Sequence, residues 1–118
     1  VPAEAVRVLA VDRSPWVRGH AASRKNCPQE VLEALASDPT PAVRERVAGR
    51  ANLPDAAVAK LAGDQDRDVR LKVAMRKKLP AELITQLAAD PDPLVSDVAR
   101  CRADAPSAAR SAAALLAD

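Results

Sequence analysis

The chain is 118 residues long and 48% hydrophobic, with 10 prolines, 3 glycines, a single tryptophan, and neither phenylalanine nor tyrosine. That is one domain's worth of core, built from Ala, Val and Leu; it suits close-packed helices and offers no aromatic platform for single-stranded nucleic acid. Eighteen Lys and Arg against sixteen Asp and Glu leave a net charge of +2, too small to imply a polyanionic partner by itself, and no apolar run approaches the roughly 20 residues of a membrane span.

Prolines divide the chain from its start. Pro2, Pro28, Pro54, Pro80 and Pro106 recur every 26 residues without a slip. The first unit (2–27) carries Leu9, Ala10, Asp12, Val17, Arg18 and Arg24. The second (28–53) repeats them as Leu35, Ala36, Asp38, Val43, Arg44 and Arg50. The third (54–79) has Leu61, Ala62, Asp64, Val69, Arg70 and Arg76. The fourth (80–105) has Leu87, Ala88, Asp90, Val95, Ser96 and Arg102, and a half unit (106–118) follows. Self-similarity at such a period is the mark of a repeat array.

Each unit predicts two short helices. In the second unit Pro28 opens the first helix, at a position where a missing N–H costs nothing. Val31, Leu32, Leu35 and Ala36 then form one apolar stripe at helical spacing. Ser37-Asp38-Pro39-Thr40-Pro41 ends it, because prolines forbid its continuation. Thr40 suits the N-cap of the next helix, with Pro41 at its first position. Val43, Val47 and Ala48 form the second stripe. The helices run to about nine and ten residues, and either can be partly 3₁₀. A pair this short cannot bury its own stripe, so neighbouring units must merge theirs into one core. The expected fold is all-α: a right-handed superhelical solenoid of short helix pairs forming a single repeat domain over 1–118. Ser107 to Asp118 predicts an Ala-rich helix covering the fourth unit.

The pattern Leu35-Ala36-x-Asp38-Pro39-x-Pro41-x-Val43-Arg44-x-x-Val47-Ala48, with Leu53-Pro54 leading into the next unit, resembles the leucine-rich repeat variant family. Leu83-Ile84-x-x-Leu87-Ala88-x-Asp90-Pro91-Asp92-Pro93-x-Val95 resembles it equally. The resemblance implies a right-handed solenoid of alternating short helices, one α and one closer to 3₁₀, without strands. The family's unit is taken as somewhat shorter, which would make the turns here looser. Some family members carry an iron–sulfur cluster on a cysteine-rich N-terminal segment. The two scattered cysteines of this chain do not match that segment, so no cofactor carries over. The six-residue spacing from Asp38 to Arg44 also resembles the Asp–Arg ladder of HEAT repeats, whose units are longer, about 40 residues.

Cys27 shares its column with Leu53, Leu79 and Ala105, which predicts a core position. Cys101 shares its column with Ser23, Gly49 and Met75, which predicts a partly exposed one. Units stacked at roughly 8–10 Å put the two thiols far beyond disulfide reach. Free thiols, and an opening Val1-Pro2-Ala3-Glu4 without a basic run leading into an apolar one, suit a reducing, cytoplasmic setting. The Ala, Arg and Asp usage suits a bacterial protein.

Two arginine columns bear on function. Arg18, Arg44 and Arg70 can tie the Asp of their own turn or of the neighbouring one. Ser96 weakens that ladder in the fourth unit. Arg24, Arg50, Arg76 and Arg102 lie near the ends of second helices, where a cation answers the helix dipole. In register, and thickened by Lys25, Lys77 and Lys78, they also form a basic stripe able to meet phosphates or an acidic protein groove, though Glu45, Asp97 and Asp104 dilute it. Asp12, Asp38, Asp64 and Asp90 suit turns and caps, since one carboxylate per unit is no calcium cage. Glu4, Glu30 and Glu82 sit in first turns, where an acid suits the dipole. His20 has no catalytic partner at a recognisable spacing and shares a solvated column with Arg46, Lys72 and Val98. Trp16 shares its column with Ala42, Asp68 and Leu94, so a bulky apolar group is expected to stand exposed on the first unit. The chain is then either a piece of a longer protein or meets a partner with that face. The sequence points to a non-enzymatic scaffold for protein–protein interaction, without cofactor, metal or membrane. Nucleic-acid binding through the arginine stripe is the alternative.

Overall fold

A computed structural model describes residues 2–107 and Ala109. Among them are eight α-helices and no strand: α1 (Ala3–Leu9), α2 (Pro15–Ser23), α3 (Gln29–Leu35), α4 (Pro41–Ala48), α5 (Asp55–Ala62), α6 (Arg67–Ala74), α7 (Ala81–Ala88) and α8 (Pro93–Arg100). The Ala-rich helix expected over Ser107–Asp118 lies outside the described residues, apart from Ser107 and Ala109.

The period prolines set the helix starts, and the first helices begin one residue later than the sequence suggests. Pro2, Pro28 and Pro80 are N-caps, not first helical residues: their ψ angles of 153°, 148° and 145° are extended. Their ring fixes φ, and their carbonyls start the ladder; the Pro28 carbonyl accepts from the N–H groups of Val31 and Leu32. The second helices start as expected, with Pro15, Pro41 and Pro93 at the first helical position. All eight elements are α-helical, and 3₁₀-type hydrogen bonds occur at their ends. The N–H groups of Ser37 and Asp38 reach back three residues, to the carbonyls of Ala34 and Leu35.

The chain divides into two compact units, one ending at Leu61 and the other starting at Ala62. In the first, α1 packs on α2, α3 on α4, and the second helices α2 and α4 lie against each other. Val6, Ala21, Ala22, Leu32, Val43 and Val47 are buried there. In the second unit α7 packs on α8 and α6 on α8, burying Val69, Val73, Ile84, Leu87, Val95 and Ala99. The leucine column is core: Leu35, Leu61 and Leu87 are buried, whereas Leu9 is half-buried. Cys27 is buried, Cys101 is exposed, and both are free thiols, as their columns predict.

Candidate functional site

The turns between the two helices of each repeat are built by aspartate. Oδ1 of Asp12, Asp38, Asp64 and Asp90 each accepts the backbone N–H two residues on, at 2.9 Å. That Asx geometry turns the chain and leaves the second carboxylate oxygen for another donor. Arginine takes it. Arg18 Nε donates to Asp38 Oδ2 at 2.7 Å and its Nη2 to Oδ1 at 3.2 Å. Arg70 meets Asp90 in the same way, at 2.8 and 3.3 Å. The third guanidinium nitrogen serves its own turn: Nη1 of Arg18, Arg44 and Arg70 donates to the carbonyls of Asp12, Asp38 and Asp64. Both reaches open to the sequence, own turn and neighbouring turn, are therefore made by the same planar fork. Only 14% of the Arg18 and 4% of the Asp38 side chain is exposed, so water competes little for this pair. The Asp38 hydrogen bond raises the Arg18 pKa further, against the opposing cost of burial. In the fourth repeat Ser96 stands at this position and turns its hydroxyl to the carbonyl of Pro93.

The other arginine column reaches backwards. Arg50 donates to the carbonyls of Ser23 and Lys25, one repeat earlier. Arg102 donates to those of Ala74, Arg76 and Lys77 and pairs with Asp104. These carbonyls lie at and beyond the C-terminal ends of α2 and α6, where a helix has no partners of its own. The Arg102 hydrogen bond holds the Asp104 carboxyl below its ordinary value. Thus Arg50 and Arg102 answer the preceding helix as well as ending their own. Arg24, Lys25, Lys77 and Lys78 are exposed, and Arg76 is half-buried. Arg76, Lys77 and Arg102 line a shallow hollow with Ala103 and Asp104.

A third cluster was not legible from single columns. Trp16 is 67% exposed. His20, one turn on along α2, meets its ring edge-on at 4.9 Å. The Arg46 guanidinium lies over the indole, 5.8 Å from the ring centroid, within cation–π range. Arg46 also donates to Ser23 Oγ at 2.9 Å. Gly19 makes the room: a Cβ there would stand 3.1 Å from Arg46 Cδ. The signal was a compound one. Trp16 and Arg46 are separated by one repeat plus one helical turn, 26 and 4 residues, whereas residues of one column lie whole repeats apart.

The first repeat leaves several further apolar side chains at least partly open to solvent. Val8 and Val11 are exposed, and Leu9, Ala10 and Val17 are half-buried, while their counterparts Leu35, Ala36 and Val43 are buried. Among the described residues no three His, Cys, Asp or Glu side chains are placed to hold a metal ion, and no helix is long and apolar enough to cross a membrane.

Short α-helix pairs, repeated every 26 residues and tied by arginine to the turns and helix ends of their neighbours, define a helical-repeat domain. Residues 15–40 and 67–92 each match the family model described as leucine rich repeat variant, so the chain carries repeats of that family. Each matched segment is itself 26 residues long and runs from a second helix to the N-cap of the next second helix. The period here is therefore the family's own, and the looser turns expected from a shorter family unit are not called for. No curated protein and no solved structure matches the chain.

Proposed function

We propose that this chain is a non-enzymatic helical-repeat scaffold for protein–protein interaction, acting in a reducing, cytoplasmic setting that suits its two free thiols. The observation that carries the reading is the Trp16 surface. The one tryptophan of a chain without phenylalanine or tyrosine is spent outside the core, held between His20 and Arg46. Trp and Arg are the residue types that dominate interface energetics. An exposed apolar patch on a folded domain marks a place where something docks. The whole of 1–118 is read as one repeat domain, because the register continues across Leu61–Ala62 without a slip.

Nucleic-acid binding is the second reading, favoured by the exposed Lys25, Lys77 and Lys78. It is the weaker one, because Arg50 and Arg102 direct their donors at backbone carbonyls instead of solvent. Capture from cell extract on immobilised protein separates the two. The scaffold reading predicts a captured protein that is lost with Trp16→Ala, kept with Lys77→Ala/Lys78→Ala and indifferent to nuclease. Capture that survives Trp16→Ala, or that nuclease abolishes, contradicts it. In parallel, labelled duplex DNA or single-stranded RNA should show no binding at low salt, where phosphate contacts are strongest.

A further inference from the structure

The second helices leave one flank open in every repeat, whether or not another repeat precedes it. Trp16, Ala42, Asp68 and Leu94 are all exposed, and so are Ser23, Gly49, Met75 and Cys101. On α2 and α4 this flank is basic. Arg46 lays its guanidinium over the Trp16 indole and gives Nη1 to Ser23 Oγ. Arg50 reaches the carbonyls of Ser23 and Lys25. With Arg24 and Lys25 next in sequence, four cations gather about the last turn of α2. Arg24 and Lys25 are exposed, with no ion pair among the described residues. Against them stands Glu45, half-buried, the one acid on either helix.

Arg46 has a fork to spare. Arg18 and Arg70 each grip an aspartate with Nε and Nη2. In Arg46 the same two nitrogens meet no acceptor among the described residues, and the residue is exposed. The indole and the Ser23 hydroxyl already hold the guanidinium in place, so little ordering remains when a planar anion arrives. We propose that this flank of α2 and α4 binds an acidic peptide segment of a protein partner. One carboxylate takes the Arg46 fork, an apolar or aromatic neighbour packs on Trp16, and further carboxylates meet Arg24 and Lys25. The proposal rests on the scaffold reading and gives its partner a chemistry. Charge complementarity favours a short acidic peptide over a nucleic acid. A phosphate suits the same fork, but a single strand also needs several rings to stack on, and Trp16 stands in a chain without Phe or Tyr. A duplex needs a wide positive field, and the net charge is only +2.

The test selects random peptides, displayed on phage, against the whole immobilised chain. The selected pool should be richer in Asp and Glu than the starting library, with an apolar or aromatic residue beside the acid. The most enriched sequence is then synthesised with a fluorescein label and titrated by anisotropy. Replacing its acids by Gln should weaken binding about tenfold or more, and so should raising the salt. Arg46→Ala should cost a similar factor. Arg46→Lys, which keeps the charge without the fork, should lose most of the binding as well. Both variants should melt with the parent, since Arg46 is exposed, and the Gln peptide tests the same contact on the unaltered chain. No enrichment, a pool without excess acid, or a peptide that binds Arg46→Ala as it binds the parent overturns the proposal. Oligo(dT) that binds the parent more tightly than the peptide and displaces it would give the flank to nucleic acid and overturn it as well. Capture from extract that is lost with Trp16→Ala but kept with Arg46→Ala would leave the scaffold reading standing and remove only this proposal.

Discussion

Arginine and aspartate divide their work by position within the repeat. At Arg18 and Arg70 the guanidinium is a bracket with two arms, one on a carboxylate and one on a carbonyl. At Arg50 and Arg102 it caps a neighbouring helix. Lysine has one compact ammonium and cannot hold two separated acceptors in one plane. The cysteines show the same dependence on place. Burial pushes the Cys27 thiol up, despite nearby Arg50, and shields it, whereas Cys101 is exposed. Titration of the folded protein with a thiol reagent is therefore expected to modify one group rapidly, Cys101, and to reach Cys27 only on unfolding. Two equally fast thiols would put Cys27 outside the core. Both placements were legible in the sequence, because the columns of Leu53 and Met75 already reported apolar and tolerant sites. The Arg46–Trp16 stack was not: it depends on the small Gly19, and the other repeats carry Glu45, Leu71 and Asp97 at that position.

Helices of seven to nine residues are too short to persist alone, so their ends matter. The first helices borrow a fixed φ from proline N-caps. The second helices differ among themselves. Asp66 and Asp92 accept from the N–H groups two and three residues on, whereas Ser14 and Thr40 make no side-chain cap. Asp66→Ala should cost about 1 kcal/mol in urea unfolding, while Ser14→Ala should stay within about 0.5 kcal/mol. Equal losses at the two positions would contradict the capping assignment. The sequence placed the starts of both kinds of helix correctly to within a residue but made them too long: the first helices run to seven or eight residues and the second to eight or nine. It put Pro28 inside the helix instead of at its cap because both places tolerate a residue without an N–H. Which caps use their side chains was not legible, since Ser, Thr and Asp all suit the position.

At the scale of the molecule one rule organises the chain: residues 26 apart occupy equivalent places, and the apolar ones among them form the core. Leu35, Leu61 and Leu87, and Val43, Val69 and Val95, are all buried. Leu9 and Val17 are only half-buried, because each face needs a neighbour on its outer side. Periodicity made the core legible, since it records what repeats. The proposed scaffold reading rests on what does not repeat, namely Trp16 with Gly19 and His20 beside it, and for that reason was less legible. The period's central claim is tested most directly by equilibrium urea unfolding of Leu61→Ala. Leu61 is fully buried, and truncating such a leucine should cost about 2–5 kcal/mol, a large share of a small domain's stability. A variant that unfolds at the parent's midpoint would show that the leucine column is not the core.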